Sequence, residues 1–183
     1  MRRIVIVAAV AAVSAGMPEP ASASMPMCRT STLAITLTHT GAVTGDEGGL
    51  LRFLNRGRTS CRLSGWPSAR AVEPTGKAIK ARHAVHGTML FAWQFRSPLP
   101  VLTLKPGASA YAALDDGDNP VRNPTKPCPT ARRLRISPPN DSHQETISAW
   151  LANDRTYLSL CTAYNGWPEL EVSAVEPLSA FAH

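Results

Sequence analysis

The sequence predicts an all-β protein, a sandwich of about seven to nine short strands. Three observations carry that expectation. Apolar and polar residues alternate in several short runs, Gly and Pro turn signals separate the runs at intervals of roughly a dozen residues, and no long amphipathic helical pattern intervenes.

Leu33, Ile35 and Leu37 alternate with Ala34, Thr36 and Thr38, the period of a half-buried strand, and Gly41 to Gly49 reads as the loop that follows. Leu51 and Phe53 flank Arg52 in a second strand that ends at Asn55-Arg56-Gly57. Cys61-Arg62-Leu63 leads into a Gly65-Trp66-Pro67 turn, and Ala69 to Val72 is a third strand closed by Pro74-Thr75-Gly76. Val101 to Leu104 runs into Lys105-Pro106-Gly107, Ser109 to Leu114 into the acidic turn Asp115-Asp116-Gly117-Asp118, and Leu134-Arg135-Ile136 into Pro138-Pro139. Leu158-Ser159-Leu160 and Leu170 to Val175 complete the strands. One segment departs from the pattern: Ser142-His143-Gln144-Glu145 has capping-box form, and Ile147, Trp150 and Leu151 then share a helical face, although Ala149 and Leu151 also fit a strand.

The chain has 183 residues, 44% hydrophobic and 17% charged, a composition that excludes disordered and coiled-coil classes. Arg2 and Arg3 precede an apolar run from Ile4 to Ala15, and Ala21-Ser22-Ala23 has the form of a signal-peptidase site. The run is shorter than the ~20 residues of a membrane span. Residues 1–23 therefore read as a signal peptide without a transmembrane anchor, and 24–183 as a single secreted domain. The mature chain loses two of the 19 basic and one of the 13 acidic residues, leaving it net +5. That mild excess favours anionic surfaces weakly.

Cys28, Cys61, Cys128 and Cys161 all lie in the exported part, and an even number in an oxidising compartment predicts two disulfides. Structural zinc sites bring cysteines in close pairs, and none of these four are close in sequence. Three connectivities are possible, and loop entropy does not choose among them.

In order, Cys28, Leu33-x-Ile35, Leu51-x-Phe53-x-Asn55, Cys61-Arg62-Leu63-Ser64-Gly65-Trp66-Pro67, Leu104-Lys105-Pro106-Gly107, Pro127-Cys128 and Leu134-Arg135-Ile136-Ser137-Pro138-Pro139 resemble the domain-of-unknown-function 4232 family. The resemblance spans about Cys28 to Pro177. It implies an exported, largely actinobacterial protein with an immunoglobulin-like antiparallel sandwich and no established activity. Many such proteins are lipoproteins, but Met25-Pro26-Met27 before Cys28 is not a lipobox. Together with local contact, the resemblance favours pairing Cys28 with Cys61 and Cys128 with Cys161. In the same motif Asn55 would satisfy loose backbone groups at a strand end, and Trp66 would cover the Cys61 disulfide.

Chemistry is thinly represented. There is no G-x-S-x-G elbow and no H-E-x-x-H, and no spacing singles out a carboxylate pair for glycoside hydrolysis. His83 and His86, with Met89 nearby, read as surface histidines, and Met25 and Met27 are a poor copper site on their own. Asp115-Asp116-Gly117-Asp118-Asn119 reads as a solvated turn, lacking the ligand spacing of a calcium loop. Arg52, Arg56, Arg58, Arg62 and Arg70 fall close together, and alternation would place several on one outward face able to bind phosphate or carboxylate. The expectation is a non-catalytic, cofactor-free, secreted binding or structural domain that contacts an anionic cell-envelope polymer or lipid headgroup. Nucleic acid is disfavoured by export and modest charge. The alternatives are an exported enzyme using His39, His83 or His86, and a copper-handling protein.

Overall fold

Among residues 24–43, 45–87, 90–94, 97–117, 128–161 and 170–181, which the computed structural model describes, the alternation becomes thirteen strand segments. They are β1 (Leu33–Val43), β2 (Asp46–Asn55), β3 (Cys61–Leu63), β4 (Ser68–Val72), β5 (Ala78–Lys80), β6 (Arg82–His83), β7 (Leu102–Leu104), β8 (Ser109–Gly117), β9 (Arg133–Ser137), β10 (Glu145–Ser148), β11 (Trp150–Leu151), β12 (Thr156–Tyr157) and β13 (Glu171–Val172). Seven of these are two or three residues long, too short to display a period, so they exceed the number that alternation suggests. Residues 1–23, expected as a signal peptide, lie outside the described residues.

Two larger sheets dominate, with strand orders β1-β2-β8-β13-β6 and β10-β9-β4-β5; β3 pairs with β7 and β11 with β12. Among these strands pairing is antiparallel except between β13 and β6, which run parallel, a departure from the wholly antiparallel expectation. Those two strands are brought together from distant parts of the chain, so no hairpin dictates their direction.

Of the segment Gly41 to Gly49, expected as a loop, Gly41 to Val43 and Asp46 to Gly49 instead extend the first hairpin, and Thr44 lies outside the described residues. β1 pairs with β2 from Leu33 opposite Asn55 to Val43 opposite Asp46, with an irregularity between Thr38 and Gly41. Glycines hide this strand from an alternation test because they have no side chain to alternate. Gly48 is needed for closeness: a Cβ there would lie 2.1 Å from the Leu114 carbonyl oxygen of β8. The predicted acidic turn is also strand. Asp115 and Asp116 belong to β8, opposite Gly48 and Glu47, and both are buried. Asp118 and Asn119 lie outside the described residues.

The capping-box segment is not helical. Glu145 to Ser148 pairs with β9, where Glu145 stands opposite Ile136 and Ser148 opposite Arg133. Edge pairing against β9 outweighs local helix propensity here, as tertiary context commonly does. Among the described residues the helical pieces are two 3-10 turns, Thr30–Thr32 and Leu178–Ala180.

One hydrophobic cluster draws on both large sheets: Ile35, Leu51, Phe53, Ala112 and Leu114 from the first, Ala69, Ala71, Leu134 and Ile136 from the second. Leu50 and Ala113 point the other way, into a smaller cluster with Phe91, Trp93 and Phe181. The first sheet is therefore covered on both faces, which explains why the adjacent residues Leu50 and Leu51 are both fully buried. Each such side chain contributes roughly 1.5–3 kcal/mol.

Cys28 is bonded to Cys61 and Cys128 to Cys161, each closing 33 residues, and no cysteine is free. Both bridges join backbone segments already in contact. Cys28 N donates to Arg62 O at 2.9 Å, and Leu160 N donates to Pro129 O at 2.7 Å. At the end of β2, Asn55 is buried; its Nδ2 donates to the Thr59 and Leu104 carbonyls, and its Oδ1 accepts from Gly57 N, all at 2.9 Å.

Replacing Cys28 and Cys61 together by Ala should lower the unfolding free energy by about 3.5–4 kcal/mol through the freed loop, read as a shift of the urea midpoint. Asn55→Ala should cost about 2–4 kcal/mol by stranding buried backbone groups. A loss below ~0.5 kcal/mol in the same titration would refute that role for Asn55.

Candidate functional site

The structure does not gather the five arginines singled out in the sequence. Arg52 lies in β2 and is half-buried, its Nε donating to Ser109 Oγ at 2.9 Å on β8. Arg62 in β3 donates from Nε to the Met25 carbonyl at 2.9 Å, tying down the N-terminal segment. Arg56 and Arg58 are exposed just past β2, while Arg70 lies in β4, in the other large sheet. Their closeness in sequence does not become one face because β3 leaves both large sheets to pair with β7, and β4 then joins the second sheet.

A different set of cations does converge. In the second sheet Ala69, Ala71, Leu134 and Ile136 face the core, so the residues between them face outward. Across that outward face Arg70 stands opposite Lys80 on one side and Arg135 on the other, and Arg135 stands opposite Thr146. The neighbouring row sets Val72 opposite Arg133, itself opposite Ser148. Arg70, Lys80, Arg133 and Arg135 are all exposed, and their side chains form no hydrogen bond or ion pair among the described residues. The adjacent acid, Glu73, is engaged with Lys77 at 3.6 Å and accepts from Thr75 Oγ1 at 3.2 Å. A cavity of about 130 Å³ lies between Val72, Glu73, Gly76, Arg133, Arg135 and Thr146. Of this face, the sequence pattern singles out only Arg70. Arg133 and Arg135 carried a signal, as polar residues flanking Leu134 in a strand, but which strands neighbour one another has no local signature.

A larger groove of about 530 Å³ opens between the Thr30–Thr32 turn and residues 141–145, lined by Arg29, Thr30, Arg56, Asp141, His143 and Glu145 among others. Arg56 reaches this groove because its backbone N–H donates to Thr32 O at 3.0 Å. Asp141 is committed to structure. It accepts from Thr30 N at 2.8 Å, Thr30 Oγ1 at 2.9 Å and His143 N at 3.2 Å, and its side chain is only 5% exposed. The Thr30 backbone bond chiefly, helped by the His143 bond, holds its carboxyl far below the usual carboxylate range against the opposing effect of burial.

Trp66 is half-buried; its ring stacks on His83 with centroids 5.1 Å apart and planes 10° apart, and its Nε1 donates to Ala84 O at 3.2 Å. These two contacts tie the indole to β6 and the residue after it. Burial, then the charge of Lys80, pushes the His83 pKa down, favouring the neutral ring. His86 is exposed and bridges to Gln94, and Met89 lies outside the described residues. His39 is exposed, with Nδ1 3.1 Å from Thr38 Oγ1. Among the described residues no group of three or more His, Cys, Asp or Glu is arranged to hold a metal ion. Glu47 and Asp116 face one another across β2 and β8, but both are buried, and Glu47 accepts from the Ser159 N–H.

A protein-family model described as "Domain of unknown function (DUF4232)" matches residues 28–176. No curated protein and no solved structure matches.

Because the Asp141 pKa is lower folded than in the unfolded chain (~3.9), its contribution to stability is complete above that value. It fades as pH falls through the unfolded and then the folded pKa. Urea midpoints measured from pH 7 to pH 2 should therefore fall less steeply below about pH 4 for Asp141→Asn than for the wild type. Parallel curves would remove Asp141 as an acid-sensitive tie.

Proposed function

The chain belongs to the DUF4232 family, and from that premise we propose that it is a secreted, non-catalytic binding domain whose outward β5-β4-β9 face holds an anionic component of the cell envelope. The observation that carries the reading is the row Lys80, Arg70 and Arg135, three cations directly opposite one another with no acidic partner among the described residues. Like charges opposed across strands destabilise a sheet by roughly 0.2–1 kcal/mol per pair. A phosphate- or carboxylate-bearing polymer laid across the row would turn that repulsion into attraction. Guanidinium groups add bidentate geometry. Support for export comes from the N-terminal segment and from two disulfides, which persist in oxidising compartments. No helix among the described residues is long and apolar enough to cross a membrane.

The test is co-sedimentation of the protein with isolated cell-envelope fractions across a salt series. Arg70→Ala combined with Arg135→Ala should weaken binding about tenfold or more at low salt. Arg56→Ala combined with Arg58→Ala should leave it within about twofold. Binding by the wild type should fall as salt approaches ~1 M, where the Debye length is about 3 Å. Arg135→Thr alone should raise the unfolding free energy by about 0.2–1 kcal/mol, separating lost binding from lost folding. Envelope binding unchanged in the Arg70/Arg135 variant would overturn the proposal.

A further inference from the structure

The outward row of β10 ends on an aromatic edge. Thr146 and Ser148 are exposed, Ala149 is buried, and Trp150 returns outward with 41% of its surface in solvent. Ser148 stands opposite Arg133, so Trp150 lies one outward step beyond the cationic face. Trp150 pairs with Tyr157 across β11 and β12; the rings are 5.0 Å apart at 71°, and the Arg132 guanidinium sits 5.4 Å over the Tyr157 ring. The backbone beneath is held in place. Trp150 N donates to Ser148 Oγ at 3.2 Å, and in the turn between the two strands Asn153 donates from its backbone N–H to Thr40 Oγ1 at 3.3 Å and from its side-chain amide to the Thr40 carbonyl. Neither the indole N–H of Trp150 nor the hydroxyl of Tyr157 has a partner among the described residues.

We propose that Trp150, Tyr157 and Arg132 form a saccharide-stacking subsite, so that the anionic partner of the face is an acidic carbohydrate polymer. This rests on the reading of the Arg70 and Arg135 face as anion-binding. The C–H groups on one side of a sugar ring are weakly positive and suit the negative face of an aromatic ring. The indole N–H and phenol, without partners among the described residues, supply hydrogen bonds to hydroxyls, and the fixed backbone limits the ordering cost on binding. An anionic lipid surface fits this edge less well. The turn between β11 and β12 is Ala152-Asn153-Asp154-Arg155, exposed throughout, with a carboxylate and no large apolar residue to insert.

Calorimetric titration of the purified protein with a polyuronate, with inorganic polyphosphate and with phosphatidylglycerol vesicles tests the idea. Circular dichroism checks the fold of each variant. Trp150→Ala should weaken polyuronate binding about tenfold and leave polyphosphate binding within about twofold, while Trp150→Phe keeps most of the polyuronate affinity. Arg70→Ala with Arg135→Ala should lose both polymers. Equal loss of the two polymers in Trp150→Ala, or loss of neither, would overturn the subsite while leaving the cationic face intact. Vesicle binding that depends on Trp150 would overturn it in favour of a membrane surface. A wild-type protein that binds none of the three probes would overturn the face and the subsite together.

Discussion

The register of β2 against β8 is the constraint on which the rest of the structure depends. Leu54 opposite Ser109 at one end and Asp46 opposite Gly117 at the other fix two long strands over their whole shared length. A slip of one residue would exchange the two faces of β2, sending Leu51 and Phe53 out of the main core and Leu50 out of the smaller one. Gly48 resists such a slip, since only a residue without a Cβ tolerates the Leu114 carbonyl so close. The same register sets Asn55 at the open end of the β1–β2 hairpin, where its side chain serves backbone groups from three other residues.

With the first sheet covered on both sides, less of its surface remains to meet a ligand, and the second sheet is left with an open outward face. Small core residues, Ala69 and Ala71, pack that sheet inward opposite Ile136 and Leu134, while Arg70 between them stands outward opposite Lys80 and Arg135. Exposed cations in water repel weakly, so the sheet tolerates them. Engaged cations behave differently: Arg52 and Arg62 spend their guanidinium groups on Ser109 and Met25 and serve the fold. The division between structural and available arginine thus follows from which sheet each strand joins.

Asp141 and the first disulfide both secure the N-terminal segment, one against the loop after β9 and the other against β3. The groove lined by Arg29, Thr30, Asp141 and Glu145 lies beside that anchor. Its walls come from the turn before β1, the residue after β2 and the segment leading into β10, and its buried acid Asp141 is already engaged by Thr30 and His143.

The sequence alone determined what is local: alternation at Leu33 to Leu37 and Leu51 to Phe53, the turns at Gly65 and Gly76, Asn55 as a strand-end hub, and an even cysteine count fit for two disulfides. Each of these is written within a few residues, where side-chain period and backbone conformation act directly. A glycine-interrupted strand segment, Gly41 to Gly49, and a capping-box segment recruited to a sheet edge carry no such local signature. Only the tertiary structure decided which strands lie side by side. Arg70, Lys80 and Arg135 come from three separate strands, and Trp150 meets Tyr157 across a turn. Lateral neighbours in a sheet are chosen by packing and hydrogen bonding between distant segments, and that choice leaves no period along the chain.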